Sequence, residues 1–271
     1  MTLPWIVLIT YILTSIVFIT YLMTRKFFLV SISRLLYVCC TVLHLLVIVL
    51  AWHKIHHLPL TSPPQAMNMI IFLASLVFMP LVWRRSTIVL GAFFLPVATC
   101  ILAFLLPSQS LLLSSAIGSY RYLYPLHTLS VVIGEALFVV AFVTSLVYLI
   151  HERIIMRGSL HTPISGLPAL MLLDKILYAS LSLGFIAITV GMIFGGLWAT
   201  ALEIQIGSIA PKVTAGGVMW AVFALSLHQR FAIGWKGSRT AIITLIGFCL
   251  MLVLFFGIRW AYPHAHGIGL L

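Results

Sequence analysis

Apolar residues run along this chain in long blocks broken by short polar punctuation. Eight such blocks are legible, at residues 4–23, 35–52, 67–83, 87–106, 128–150, 176–198, 214–229 and 240–258, the seventh being short. Blocks of about 20 apolar residues match the hydrocarbon thickness that an α-helix must cross in a bilayer. A membrane β-barrel would instead show segments of about 10 residues with alternating polarity. The pattern predicts an all-α fold: a polytopic membrane helix bundle of about eight transmembrane helices, forming a single integral membrane domain over residues 1–271. The first block lacks a basic flank and an A-x-A-like cleavage site, so it is expected to be a retained helix rather than a signal peptide.

Composition agrees with the block pattern. Of the 271 residues 63% are hydrophobic and 7% charged, and the mean hydropathy is +1.22. A soluble domain of this length could not cover itself with so few polar side chains. The four cysteines, Cys39, Cys40, Cys100 and Cys249, all fall inside apolar blocks with no C-x-x-C, zinc or haem-attachment spacing. They are expected to be small buried apolar residues.

Charge adds an orientation. The segments following odd-numbered blocks carry Arg25, Lys26, Arg34, Arg84, Arg85, Arg153, Arg157, Lys175, Arg230, Lys236 and Arg239, whereas the other side has Lys54, Arg121, Lys212 and Arg259. Lys and Arg accumulate on the cytoplasmic side of membrane proteins, so both termini are expected on the non-cytoplasmic side. The formal charge of +11 is thereby explained by topology and is compatible with contact to anionic lipid. It does not point to nucleic acid, since no soluble basic patch exists to carry such binding. Trp5, Trp52, Trp83, Trp198, Trp235 and Trp260 stand near block ends, where interfacial anchoring is their ordinary role.

Chemistry rests on few residues. The acidic residues are Glu135, Glu152, Asp174 and Glu203, and only Glu135 lies within an apolar block. That scarcity argues against a hydrolase, a proton pump or a divalent-cation channel. Glu135 itself is either a carboxyl satisfied within the bundle or a polar partner near a ligand pocket. Histidine is plentiful, with ten copies, and imidazole is suited to ligating haem iron or a transition metal. His44 lies mid-block, where an imidazole needs a partner. His127 stands at the outer mouth of the fifth block, His228 near the inner end of the seventh, and His264 and His266 beyond the eighth. His53, His56 and His57 form an outer-loop cluster, and His151 and His161 are expected to be solvated in a cytoplasmic loop. The connections run over residues 53–66, 107–127, 151–175 and 199–213.

The stretch "HTLSVVIGEALFVVAFVTSLVYLIHERII" is followed by "LPALMLLDKILYASLSLGFIAITVGMIFGGLWA" and then by "PKVTAGGVMWAVFALSLHQRFAIGWKGSRTAIITLIGFCLMLVLFFG" with a His pair behind it. In this order the pieces resemble the cytochrome c assembly (CcsA/CcmC-like) superfamily of haem-handling membrane proteins. The likeness covers residues 127–271, and the "LHxR…GWKGxR" segment from His228 to Arg239 is its most specific part.

The resemblance implies that His127 and His266 are external haem ligands, with His264 a close rival to His266. It further implies that His228 is the intramembrane His of the seventh helix and His44 that of an early helix. Relatives that deliver haem carry a loop W-G-x-x-W-x-W-D-P-K-E-T-W. In "EIQIGSIAPKVTAGGVMW" the segment is anchored on Pro211 and Lys212 and ends on Trp220. Ala210 stands at the Asp position, Ile209 and Gly207 at Trp positions, and Ala215 replaces the Trp after Thr214. This departure is similar to the divergent HemX and YpjD branch. A haem there would rest on Ile206, Ile209, Val213 and Tyr262 instead of an aromatic floor.

The implied protein is not an enzyme. It would hold haem b non-covalently in the bacterial cytoplasmic (inner) membrane and support cytochrome c or haem-protein assembly, alongside other cytochrome-assembly membrane proteins. Gly216 and Gly217 are expected to permit close approach of helices or ligand. Two alternatives stay open: a haem-free structural or regulatory membrane subunit, and a small-solute or metal transporter using His53, His56 and His57. Against the transporter stand the absence of an inverted repeat and the scarcity of intramembrane carboxylates.

Overall fold

A computed structural model describes residues 3–60, 62–105, 122–158, 166–203 and 206–261, excluding the side chains of 63, 206–209, 211, 212 and 255–261. The described residues fold into eight α-helices: α1 (Leu3–Thr24), α2 (Phe27–Ile55), α3 (Pro63–Trp83), α4 (Leu90–Leu105), α5 (Leu123–Met156), α6 (Leu170–Ala201), α7 (Ile206–Ala232) and α8 (Ser238–Ala261). Helices α1, α2, α3, α5 and α6 are long and apolar enough to cross a membrane, while α4 and the 238–254 part of α8 are shorter apolar helices. In a bilayer every backbone polar group needs an internal partner, which is why such apolar blocks become helices.

Several helices outrun the apolar blocks that predict them. Helix α2 takes in Arg34, and α5 extends to Met156 at 34 residues. The main correction concerns the connection expected over 199–213. Helix α7 begins at Ile206, eight residues before the apolar block at 214. Hydropathy marks where a chain is greasy, and a helix can continue through small and polar residues beyond that point.

Helix ends follow local chemistry. Ser62 caps α3: Gln65 N–H donates to Ser62 Oγ at 3.4 Å, and Ser62 N–H donates to Gln65 Oε1 at 3.3 Å. Proline in the first turn completes the start, since its missing N–H is not needed there. Helix α2 ends at His56, which is left-handed (φ 59°) and donates its backbone N–H to Trp52 O at 2.8 Å.

The chain divides into two compact units. The first comprises residues 1–112 and 146–175, the second residues 113–145 and 176–271. In the first, α1 packs on α2 and α4. Gly91 of α4 faces the Phe18 ring of α1 so closely that a Cβ would fall 2.4 Å from Phe18 Cε1. Phe78 and Phe94 stack at 4.3 Å between centroids, and Arg34 donates to the Val82 and Trp83 carbonyls that end α3.

The second unit is built on an α5/α6 seam. On α5 it runs through His127, Val131, Gly134 and Phe138; on α6 it runs through Gly195, Gly191, Ile188 and Gly184. Both sets are spaced four, three and four residues apart, one face of a helix. They match in antiparallel order. A Cβ on Gly134 would lie 2.5 Å from Ile188 Cγ1 and 2.9 Å from Gly184 O, and one on Gly184 would lie 2.8 Å from Phe138 Cε1. Absent side chains let the backbones approach, as at small-residue interfaces in membranes. Phe138 then stacks on Phe223 of α7 at 3.6 Å, and Phe142 on Phe248 of α8 at 4.3 Å.

Candidate functional site

His127 lies in the second turn of α5, at the end of the glycine seam. Its Nδ1 stands 2.7 Å from the carbonyl oxygen of Gly191 on α6. A carbonyl only accepts, so Nδ1 carries the proton and donates. Nε2 therefore keeps its lone pair. This is the arrangement in which a second-sphere acceptor fixes the tautomer and raises the basicity of a ligating imidazole.

Two further contacts hold the ring, and one of them is braced in turn. A Cβ on Gly195 would fall 2.6 Å from His127 Nδ1, so the bare glycine is what leaves the ring its place. Trp198, one turn further along α6, lies nearly parallel to the imidazole, at 6.3 Å between centroids and 24° between planes. Tyr124 packs on Trp198, at 5.1 Å between ring centroids. Trp198 is buried, so besides standing near the end of α6 it packs within the protein.

His44 has a different setting, in the first unit. It is fully buried and both ring nitrogens are engaged. Nε2–H donates to Asn68 Oδ1 at 3.2 Å, and Nδ1 accepts from the Tyr11 hydroxyl at 2.9 Å. Tyr11 Oη also lies 2.7 Å from Ser75 Oγ, and the Tyr37 hydroxyl donates to the Ser75 carbonyl at 2.8 Å. The set ties α1, α2 and α3 together, and iron ligation by His44 would require breaking one of these bonds.

The other expected site residues scatter. His228 is exposed on α7, on the same stripe as Val218, Ala221 and Leu225, rather than inside the bundle. Trp220 is mid-helix, donating its indole N–H to Thr189 Oγ1 at 2.9 Å and packing on Phe185. Glu135 is part-buried on α5, eight residues below His127. His264, His266, Tyr262 and His161 lie outside the described residues, as do the side chains of Ile206 and Ile209. At Gly216 and Gly217 no described atom stands within 4 Å of where a Cβ would be, so among the described residues no helix approaches closely there.

Smaller corrections concern cysteine and histidine. Cys40 is buried, but Cys39, Cys100 and Cys249 are exposed. His151 is not simply solvated, since its Nδ1–H donates to Pro168 O at 2.9 Å. His53 and His56 have ring centroids 6.3 Å apart, yet no group of three or more His, Cys, Asp or Glu able to hold a metal occurs among the described residues.

Gly191 and Gly195 are the residues around His127 that sequence reasoning passes over, and Trp198 reads there only as an interfacial anchor. The G-x-x-x-G spacing in "GMIFGGLW" is the signal that marks a close helix contact. Its partner helix is not legible from spacing alone.

The run of long apolar helices defines a multi-pass membrane protein. Residues 3–266 match the model of the family described as Cytochrome C assembly protein, and the chain belongs to that family. It is similar to the cytochrome c biogenesis protein CcsA of Chlorella vulgaris, 24% identical over 267 residues, covering 86% of this chain and 83% of that protein. The CcsA protein of Chlamydomonas reinhardtii is 24% identical over 247 residues, with 89% and 69% covered. That of Mesostigma viride is 35% identical over 98 residues, a stretch spanning 36% of this chain and about a third (32%) of that relative.

Proposed function

We propose that this protein binds and hands on haem b in support of cytochrome c or other haem-protein assembly, with His127 as one axial ligand. The observation that carries the proposal is the Nδ1–H bond from His127 to Gly191 O at 2.7 Å, which leaves Nε2 as the ligating atom. His266, or His264 two residues earlier, supplies the second ligand. Bis-imidazole coordination suits an iron that is to be held and passed on rather than used to activate oxygen. No cargo bond is broken, so the role is that of a carrier rather than an enzyme.

The segment from Ile206 to Trp220 lacks the tryptophans and carboxylate of haem-presenting relatives, which supports reading the chain as similar to the HemX and YpjD branch. The macrocycle then loses stacking area on that side, and binding leans more on the iron–imidazole bonds. His228, exposed on α7, is an imidazole available to a second haem contact. In this reading eight crossings put both termini on the non-cytoplasmic side of the bacterial cytoplasmic membrane, with other cytochrome-assembly membrane proteins as partners.

The test is purification of the full chain in detergent from haem-replete cells. A Soret band retained through purification, and lost in His127→Ala, is the expected result. A colourless protein that takes up no haem on reconstitution would contradict the proposal and favour the haem-free structural subunit.

A further inference from the structure

We infer that Gly191, Gly195 and Trp198 of α6 form a seat that fixes His127 in its Nδ1–H tautomer and orients Nε2 as its one ligating atom, with Trp198 a positioning residue. The inference rests on the haem reading above for its purpose, but the seat itself is a property of the protein alone.

The argument begins with the helix. Inside an α-helix the carbonyl of residue i accepts the N–H of residue i+4 and is flanked by that residue's side chain. Gly195 is residue i+4 to Gly191. Having no side chain, it leaves the second lone pair of the Gly191 carbonyl open to a partner from outside the helix. His127 Nδ1 takes it at 2.7 Å and occupies the very space a Cβ on Gly195 would need, 2.6 Å from Nδ1 and 2.8 Å from Cε1. A Cβ on Gly191 would in turn meet Val131 Cγ2 at 2.7 Å and Val131 N at 3.1 Å, so that glycine sets the helix spacing that brings the ring within reach.

Trp198 removes the remaining freedom. Its plane lies 24° from that of the imidazole, and it is itself braced by Tyr124. Rotation about the His127 side chain would break the carbonyl bond and the stack together. Free neutral histidine favours the Nε2–H form, so a ring held as Nδ1–H carries a distinct signature that does not depend on haem. Outer-sphere partners of this kind change metal affinity by about 10- to 100-fold when removed.

The experiment uses the full chain with 15N-labelled imidazoles, haem-free in detergent, with His127→Ala to assign the signal. Wild type is expected to show His127 as a single Nδ1–H tautomer. Gly195→Ala is expected to give mixed tautomers and to weaken haem binding about 10- to 100-fold, with a shifted reduction potential of any haem retained. Trp198→Phe is expected to keep the tautomer and Trp198→Leu to loosen it, a contrast that stands even if Gly195→Ala does not fold. A wild-type His127 in mixed or Nε2–H form, or a Gly195→Ala protein with unchanged tautomer and haem affinity, would overturn the seat. A seat that behaves as described in a protein that never takes haem would uphold this inference and overturn the haem reading.

Discussion

His127 and His44 are the same side chain held in opposite settings by their neighbours. His127 spends one nitrogen on Gly191 O, which leaves a lone pair on the other; His44 spends both, on Tyr11 and Asn68. An interhelical hydrogen bond within a membrane contributes about 0.6–1.7 kcal/mol, and a buried polar group left without a partner costs about 1–3 kcal/mol. His44→Phe takes away the bond to Asn68 and one of the two partners of the Tyr11 hydroxyl, which keeps Ser75 Oγ, so it is expected to destabilise the first unit by about 1–3 kcal/mol while leaving any haem spectrum unchanged. Thermal unfolding in detergent, followed alongside absorbance, checks both halves; a lost Soret band with unchanged stability would reverse the assignment. Trp220→Phe deletes the indole N–H bonded to Thr189 and is expected to cost about 0.5–1.5 kcal/mol. At this scale the sequence makes histidine conspicuous, but it cannot tell a candidate ligand from a hub. That distinction depends on which atoms from other helices meet the two ring nitrogens, and Tyr11 and Asn68 lie 33 and 24 positions from His44.

Helix α7 is where the element scale departs from hydropathy. The small, polar run from Ile206 to Val213 reads as a connection, yet it is helical. Nitroxide labels placed singly along 206–220 are expected to show accessibility with a period of about 3.6 residues; uniformly high accessibility would mean a loop. The α5/α6 seam makes a second expectation. Gly134→Ala sets a Cβ against Ile188 and the Gly184 carbonyl, and overpacking of that kind costs about 1–3 kcal/mol, measurable as a lower unfolding midpoint. An unchanged midpoint would show that the two helices separate easily. The seam's glycines were visible in the sequence as residues, and their function was not, because a helix face acquires meaning only when its partner is known.

For the molecule as a whole, apolar block length and Lys/Arg asymmetry carry most of what the sequence yields. Every expected block overlaps a helix, because a single apolar segment without water satisfies its own backbone only as a helix. Block length alone settles less for α4, α7 and α8, since the five helices long and apolar enough to span are α1, α2, α3, α5 and α6. The eight-crossing topology is tested by reporter fusions. Reporters after Arg25, Arg85, Arg157 and Lys236 are expected on the cytoplasmic side and reporters at both termini on the opposite side; termini on different sides would mean an odd number of crossings. The most direct test of the haem account is titration of haem into the purified haem-free protein, read at the Soret band for wild type, His127→Ala and His44→Phe in parallel. Saturable binding by wild type and His44→Phe, weakened in His127→Ala, is the predicted result. Equal binding by all three, or binding lost only with His44, would contradict it.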